Sequence, residues 1–209
     1  MDLEQALSGI DDHLWSSEAD VGEFLACLVR MHSFQAVIEV GTFKGRTACL
    51  LIDSLGSGGT YTGIDLEDHR PDSVRKYMEI NGHNVLFGDS LVELEKLPNR
   101  SADLVFLDGD HTLEYVKSEF LISLRLLREG GLICIHDYHS RGVRIWVDFV
   151  RRFGHFETLV LNTSENRGMA VIAPMKGARS AGIFFRVWFA LLRNRLALRI
   201  LDKFRSFRA

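Results

Sequence analysis

The sequence predicts an α/β fold: a doubly wound, mostly parallel sheet of seven strands that ends in a C-terminal antiparallel hairpin, followed by a helical tail. Two observations predict it. Short apolar runs alternate with helical patterns five times along the chain, which is typical of a parallel sheet with helices on both faces. The last two apolar runs are separated only by a polar loop, which indicates a hairpin.

The predicted elements follow one another in a regular order. The first helix has apolar residues at helical spacing from Val21 to Val29, and the serines before it suit an N-cap. Pro71 suits the first position of a later helix, where its missing N–H is not needed. We expect helices over 16–32, 45–55, 71–80, 114–127 and 143–153, and a short one ending near Pro98. We expect strands over 36–41, 60–65, 84–87, 103–108, 132–136, 157–161 and 169–173.

Composition and charge divide the chain into two parts. Of the 209 residues, 46% are hydrophobic and 25% are charged, which is ordinary for a globular protein and excludes disorder. From Lys176 onward there are nine basic residues and one acid, a net charge of +8, so residues 1–175 carry −11 of the total of −3. A body this acidic argues against nucleic acid as a partner. We expect one domain over 1–175 and a basic amphipathic helical tail over 176–209.

The sequence favours a cytoplasmic protein. Its acidic start lacks the basic and then apolar order of a signal peptide. No run reaches the roughly 18 apolar residues that a membrane span requires. Cys27, Cys49 and Cys134 lie far apart in apolar runs, which indicates reduced core thiols and not a disulfide framework.

Acidic side chains and an imidazole gather where the predicted strands end. In doubly wound sheets, ligands bind outside the carboxyl ends of the strands, near the point where the strand order reverses. The groups at or beside successive strand ends are Glu39, Asp65, Asp89, Asp108, His136 and Asp137. We therefore expect these groups to line one binding crevice.

The loop after the first strand argues against a dinucleotide cofactor. Gly41 and Gly45 let the backbone turn and let a ligand approach the next helix. A dinucleotide fingerprint has another glycine between them, and here Phe43 takes its place. The acid before this loop suits a ligand with a cationic amino-acid part. Asp65, which is 24 residues after Gly41, suits hydrogen bonds to ribose hydroxyls.

Five motifs in order resemble those of class I S-adenosylmethionine-dependent methyltransferases. They are Val-Ile-Glu-Val-Gly-Thr-Phe-Lys-Gly at 37–45, Gly-Ile-Asp-Leu at 63–66, Gly-Asp-Ser at 88–90, Leu-Val-Phe-Leu-Asp-Gly-Asp-His at 104–111 and Gly-Gly-Leu-Ile-Cys-Ile-His-Asp-Tyr at 130–138. The resemblance covers about residues 20–175. Within that class it points to the small O-methyltransferases, including catechol-type and macrolide-sugar enzymes. It implies a Rossmann-like sheet and methyl transfer from S-adenosylmethionine to a hydroxyl of a sugar or other small molecule.

The resemblance also implies which residues bind the cofactor. Gly41, Thr42 and Gly45 would lie under the methionine part, Glu39 near its amino group, Asp65 at the ribose, Asp89 and Ser90 at the adenine, and Asp108 beside the cofactor. An alternative stays open for the three acids Glu39, Asp65 and Asp89, because turns and helix caps use the same residue types.

The fourth and fifth strand ends carry the expected chemistry. A neutral hydroxyl is a weak nucleophile, so a divalent cation or a general base must activate it. The resemblance implies His111 as the base, and Mg²⁺ or another divalent cation held by Asp108 and Asp137. His136 is a further candidate ligand, because an imidazole at this strand end can also bind a metal. His136 and Tyr138 depart from the catechol-type pattern, which has an acid and an amide there. The alternative is that Asp108 and Asp110 only touch the cofactor or cap the next helix, and that His136 is a hydrogen-bonded wall residue.

Other functions remain as alternatives. The turn after the fourth strand lacks the Asn/Asp-Pro-Pro-aromatic motif that many amino-group methyltransferases share, which favours an oxygen acceptor. A nucleotide-dependent oxidoreductase or hydroxylase on the same kind of sheet is the second candidate. A non-catalytic cofactor-binding scaffold is the third.

The tail mixes aromatic and aliphatic residues with arginines. Its apolar face shifts after Asn194, which predicts two amphipathic segments or one kinked helix. Such a helix suits peripheral contact with an anionic membrane on its inner surface, where a lipid-linked glycan acceptor would lie. The alternatives are packing on the acidic body or on a second subunit in a homo-oligomer.

Overall fold

The structure is a computed structural model, and it describes residues 1–10, 17–152 and 155–175. The strands are β1 Ala36–Val40, β2 Thr60–Asp65, β3 Asn84–Phe87, β4 Ala102–Leu107, β5 Leu127–His136, β6 Phe156–Leu161 and β7 Met169–Pro174. The helices are α1 Leu3–Leu7, α2 Ala19–His32, α3 Arg46–Ser54, α4 Asp72–Ile80, α5 Ser90–Lys96, α6 Leu113–Leu126 and α7 Arg141–Arg152.

The strands form one seven-stranded sheet in the order β3-β2-β1-β4-β5-β7-β6. Strands β1 to β5 pair in parallel, and β7 pairs antiparallel with both β5 and β6. The chain order reverses between β1 and β4, which are hydrogen-bonded neighbours at the centre. The predicted fold class is confirmed, including the C-terminal hairpin, and the position of the ligand crevice is fixed at this reversal.

Helices cover both faces of the sheet. All five residues of β1 are buried, as expected for a central strand that is covered on both sides. Ile38 and Val40 pack on the side that contains α5, α6 and α7, where Trp146 and Phe120 are fully buried. Val37 belongs to the core on the side of α1 to α4. The two cores clamp the central strands, so the strand ends that carry the polar residues are held rigidly.

Three local details differ from the sequence prediction. The short helix α1 was not expected, because five residues carry too little periodicity to indicate one. Strand β5 begins at Leu127 and not near 132, and its pairing with β4 shifts register between Ala102 and Leu104. Helix α2 begins at Ala19 with Glu18 as its N-cap residue. Neither Ser17 nor Glu18 caps it with a side chain, because both side chains bond to distant residues.

Several predictions concern the cysteines, the membrane and the tail. Cys49 and Cys134 are buried free thiols, as predicted, whereas Cys27 is exposed on the polar side of α2, so its assignment to the core was wrong. Within the described part of the chain, no helix combines the length and apolar character needed to cross a bilayer. The predicted tail helices over 176–209 and the end of the helix predicted over 143–153 lie outside the described residues.

Candidate active site

A crevice of about 400 Å³ opens at the carboxyl ends of β1, β2 and β4. It lies where the strand order reverses, as doubly wound sheets require. The eight residues that the sequence nominates for cofactor binding all line it: Glu39, Gly41, Thr42, Gly45, Asp65, Asp89, Ser90 and Asp108. The same wall also contains Ser17, Tyr115 and the exposed Leu66, which were not nominated.

The loop after β1 depends on glycine at two positions. Gly41 has φ +85°, and a Cβ there would lie 2.2 Å from the backbone oxygen of Asp108. The loop after β1 therefore packs against the end of β4 so closely that position 41 has no room for a side chain. Gly45 has φ +81° and begins α3 as its N-cap. Phe43, between them, has φ +44°, a conformation that costs a non-glycine residue energy and that tends to persist at functional sites.

The two acids from β1 and β2 are held in different ways. Glu39 is 1% exposed and accepts a hydrogen bond from the Tyr61 hydroxyl, and burial raises the pKa of Glu39 to about 8. Asp65 Oδ2 accepts from the Phe43 amide at 2.7 Å and from Thr42 Oγ1 at 3.3 Å. The Asp65 carboxylate thus orders the glycine loop and also faces the crevice.

The third strand end forms the far side of the crevice. Asp89 Oδ1 accepts from the amides of Leu91 and Val92 at 2.9 and 3.4 Å, so it caps α5. Its Oδ2 accepts from the Tyr115 hydroxyl at 2.7 Å, and this hydrogen bond lowers the pKa of Asp89. The helix-cap alternative therefore describes one oxygen of Asp89, while the residue still lines the crevice.

Ser90 is oriented from behind by a buried acid. Its Oγ donates to Glu119 Oε1 at 2.5 Å. Glu119 lies on α6 and is 1% exposed, and burial raises the pKa of Glu119 to about 7. Because the Ser90 hydroxyl donates its hydrogen bond to Glu119, the lone pairs of Ser90 Oγ are directed toward the crevice.

The end of β4 is the centre of a buried polar network. Asp108 Oδ1 lies 2.8 Å from His136 Nδ1, and Asp108 Oδ2 accepts from Ser17 Oγ at 2.6 Å. On its other side, His136 Nε2 lies 2.5 Å from Glu18 Oε2, and Glu18 Oε1 accepts from Thr163 Oγ1 at 2.6 Å. This chain of contacts joins the start of α2, the ends of β4 and β5 and the β6–β7 loop.

The charges in this network support one another. His136 is fully buried, which alone would lower its pKa, but Asp108 and the neighbouring carboxylates raise the pKa of His136 to about 9. Burial alone would raise the pKa of Asp108, but His111 and His136 bring it down to about 2. Burial likewise opposes the ionisation of Glu18, yet the Thr163 hydroxyl and the charge of His136 lower its pKa. His136 is therefore an imidazolium between two carboxylates.

A cluster of possible metal ligands lies beside this network. Asp108, His111 and Asp137 each offer one donor atom, and the three atoms lie within 4.8 Å of one another. His111 Nδ1 is 3.3 Å from Asp137 Oδ2. His111 Nε2 is 3.5 Å from Asp108 Oδ1, and it is buried without a well-aligned hydrogen bond among the described residues. Asp137 has φ +52°, so it is, after Phe43, a second non-glycine residue of this site with a left-handed backbone conformation.

The structure places the predicted metal ligands differently from the sequence expectation in one respect. Asp108 and Asp137 come together as expected, but His136 lies behind Asp108 with both ring nitrogens occupied by carboxylates. His111, nominated as a base, takes the third position in the cluster. The wall-residue alternative describes the position of His136 better, because neither nitrogen has a free lone pair directed at the cluster.

Four residues of the site escaped the sequence analysis: Ser17, Glu18, Tyr115 and Glu119. Ser17 and Glu18 precede α2 and contact groups 91 and 118 residues away. Tyr115 and Glu119 occupy one side of α6, where they resemble ordinary helix positions. The acids and hydroxyls at the start of α2 are the one signal that the sequence offers for them, and the same residue types are typical of helix caps.

Comparison with known proteins is consistent with this geometry. Residues 38–138 match a family model described as a methyltransferase domain. A protein from Mycobacterium sp. (strain JLS), provisionally described as an O-methyltransferase, is 33% identical over 122 residues, which are 56% of this chain and 54% of that protein. The chain thus spans about half the length of the curated relatives it matches.

The fold is similar to those of solved O-methyltransferases. One is TomG from Streptomyces achromogenes, involved in tomaymycin synthesis and solved with SAM, at a TM-score of 0.67 and 19% identity over 83% of this chain and 87% of that one. Another is an O-methyltransferase from Bacillus cereus solved with SAH, at a TM-score of 0.67 and 22% identity over 82% and 90% of the two chains. Over residues 38–138 the chain thus resembles the methyltransferase domain family, and its fold is similar to that of solved O-methyltransferases.

Proposed function

We propose that this protein transfers a methyl group from S-adenosylmethionine to a hydroxyl of a small-molecule acceptor. The observation that carries the proposal is a single crevice lined by acids from β1, β2 and the start of α5, with the His111 cluster beside it at the end of β4. The sulfonium activates the methyl group already, so the protein mainly has to align the acceptor oxygen with it.

The order of groups along the crevice supports a specific placement of the cofactor. The methionine part lies over Gly41, Thr42 and Gly45, where a side chain at Gly41 would collide with the backbone. Its amino group lies toward Glu39, and its ribose hydroxyls lie at Asp65. The adenine lies between Asp89 and Ser90, whose oxygen lone pairs suit an exocyclic amino group.

We assign His111 as the base that takes the acceptor proton. Its ring is partly buried between Asp108 and Asp137, and these carboxylates outweigh burial and raise the pKa of His111. They stabilise the imidazolium that forms when the proton is transferred. The buried Nε2, which lacks a well-aligned partner among the described groups, is the atom that supports this assignment.

A second candidate role for the same residues is to hold a divalent cation. Two carboxylate oxygens and one imidazole nitrogen within 4.8 Å fit such an ion, and the unsatisfied Nε2 fits as its nitrogen ligand. A bound cation would lower the pKa of the acceptor hydroxyl. In that case Asp108, His111 and Asp137 are the ligands, and His136 holds Asp108 in place from behind.

The acceptor and the cellular location are further parts of the proposal. Sugars and other small hydroxyl compounds are the acceptor class that the family resemblance supports. The basic tail over 176–209 fits a cytoplasmic enzyme that contacts the inner membrane surface. Equal binding of the full chain and a 1–177 truncation to anionic liposomes would contradict the membrane role.

The proposal is tested in two steps. Calorimetric titration with S-adenosylhomocysteine should give one site, whereas NAD and NADP should not bind, and the reverse result would support the oxidoreductase alternative. His111→Ala should then abolish methyl transfer while it leaves S-adenosylhomocysteine affinity unchanged, and His155→Ala, at an exposed histidine outside both cavities, serves as its control. A fully active His111→Ala enzyme would remove His111 from the chemistry. Full activity after exhaustive chelation would exclude the metal role.

A further inference from the structure

A second cavity, of about 470 Å³, lies against α7 and shares no lining residue with the cofactor crevice. Its lining residues come from the segment that follows β5 and from one side of α7. They are Tyr138, His139, Arg144, Asp148, Arg151 and Arg152. Neither the cofactor placement nor the proposed chemistry uses any of them.

The cavity is strongly cationic. Arg144, Asp148 and Arg151 are spaced by four and three residues, so they share one side of α7, and Arg152 adjoins them. Three guanidinium groups thus accompany one carboxylate in a domain whose net charge is −11. Like charges repel, so three arginines gathered around one cavity call for an anion to offset their repulsion.

The donors of this cavity are available to a ligand. All three arginines are exposed, and the arginine ion pairs of the described residues involve other side chains, such as Arg125, Arg128 and Arg167. The Asp148 carboxylate instead accepts a hydrogen bond from the Tyr138 hydroxyl at 2.9 Å. One oxygen of Asp148, the one acidic residue that lines this cavity, is therefore already hydrogen-bonded to Tyr138.

The cavity is anchored next to the reaction centre. Tyr138 directly follows Asp137, and consecutive Cα atoms are about 3.8 Å apart. The amides of Tyr138 and His139 donate to the carbonyl oxygens of Gly168 and Arg167 at 3.0 and 2.9 Å. These hydrogen bonds hold the segment in place. Asp137 belongs to the candidate catalytic cluster, and the next residue, Tyr138, lines the cavity.

We propose that the Arg144–Arg151–Arg152 cavity binds the phosphate group of a phosphorylated small molecule. Arginine is suited to phosphate because its planar fork donates two parallel hydrogen bonds, and three such forks match the several oxygens of a phosphate better than a single carboxylate. If the ligand is the methyl acceptor, which rests on the proposed function, the acceptor is a phosphorylated hydroxyl compound.

The test is calorimetric titration of the full chain with inorganic pyrophosphate, followed by Arg144→Gln and Arg151→Gln. Each substitution removes charge-assisted hydrogen bonds and should weaken pyrophosphate binding by about 10-fold or more. Arg100→Gln is the matched control: it removes the same charge from an exposed turn before β4, at the opposite edge of the sheet from the cavity. It should change the affinity by less than about 2-fold, since a remote exposed charge is largely screened.

Each result supports or overturns the proposal. It is overturned if pyrophosphate does not bind, if all three variants weaken binding equally, or if succinate binds as tightly as pyrophosphate. Displacement of S-adenosylhomocysteine by pyrophosphate would also overturn it, because the anion would then occupy the cofactor crevice. Tighter binding of glucose 1-phosphate than of free phosphate supports an organic phosphate as the ligand, and equal binding overturns that part of the proposal in favour of the free anion. S-adenosylhomocysteine affinity, measured on the same samples, tests the proposed function separately.

Discussion

The buried imidazolium of His136 makes stability fall at alkaline pH. In the folded state its pKa is about 9, whereas the unfolded value is 6.5. Because the folded value is the higher one, the stabilisation is complete below pH 6.5 and is lost as the pH rises through about 9. The shift corresponds to about 3 kcal/mol of unfolding free energy, since each pKa unit is worth about 1.4 kcal/mol.

Two other buried groups act in the same direction at lower pH. Burial raises the pKa of Glu39 to about 8 and that of Glu119 to about 7, from 4.5 in both cases. Their contributions are therefore lost between pH 4.5 and about 8. Above pH 9 the buried thiols of Cys49 and Cys134, whose pKa values burial raises to about 12, add a further loss. This loss is shared by the wild type and a His136 variant, so the difference between their two curves isolates the effect of His136.

The assay is urea unfolding from pH 6 to 10 in the presence of a chelator. The wild type should lose most of the stabilisation due to His136 by pH 10, whereas His136→Gln should start less stable, so the gap between the two curves should close as the pH rises from 6.5 to 10. His139→Gln, at an exposed position, should follow the wild-type curve. Parallel curves for the wild type and His136→Gln would refute the assignment of a buried imidazolium.

Two further predictions concern the crevice. Gly41→Ala should destabilise the fold by more than the roughly 1–2 kcal/mol of a left-handed non-glycine residue and should weaken S-adenosylhomocysteine binding, because its Cβ would meet the Asp108 backbone. Gly82→Ala is the control, because Gly82 has φ +73° but an added Cβ would meet no atom within 4 Å. In urea unfolding it should lose only the free energy that the left-handed conformation costs. Asp65→Asn should weaken S-adenosylhomocysteine binding by about 10-fold in calorimetry, as expected for the loss of a charged hydrogen bond, and an unchanged affinity would contradict the ribose role. Asp72→Asn, at an exposed position, should leave binding unchanged.

The parts of the fold that depend on local periodicity could be predicted from the sequence. Each β-strand has a short apolar run, and the acids at the run ends marked the carboxyl edge of the sheet, where Asp65 and Asp108 meet in one crevice. A ligand crevice at strand ends follows from topology, and topology follows from the alternation of elements. For this reason the residues nominated for the cofactor lie together although they are far apart in the sequence.

What could not be predicted depends on contacts across long stretches of chain. The partner of His136 is Glu18, 118 residues away, and the sequence contains no signal that pairs them. The same limit explains why His136 was wrongly predicted as a metal ligand. Its position at a strand end suits a ligand, but both of its ring nitrogens contact carboxylates. The cavity beside α7 could not be predicted either, since spacing along a helix shows which arginines share a side but not that Tyr138 and His139 line a cavity with them.

The most direct test of the account is a crystal structure of the full chain with S-adenosylhomocysteine. We predict that the methionine part lies against Gly41, that the ribose hydroxyls lie within hydrogen-bond distance of the Asp65 carboxylate, and that the adenine lies beside Asp89 and Ser90. Density for the ligand elsewhere, or an empty crevice with Asp65 still bonded only to the Phe43 loop at saturating ligand, would contradict it.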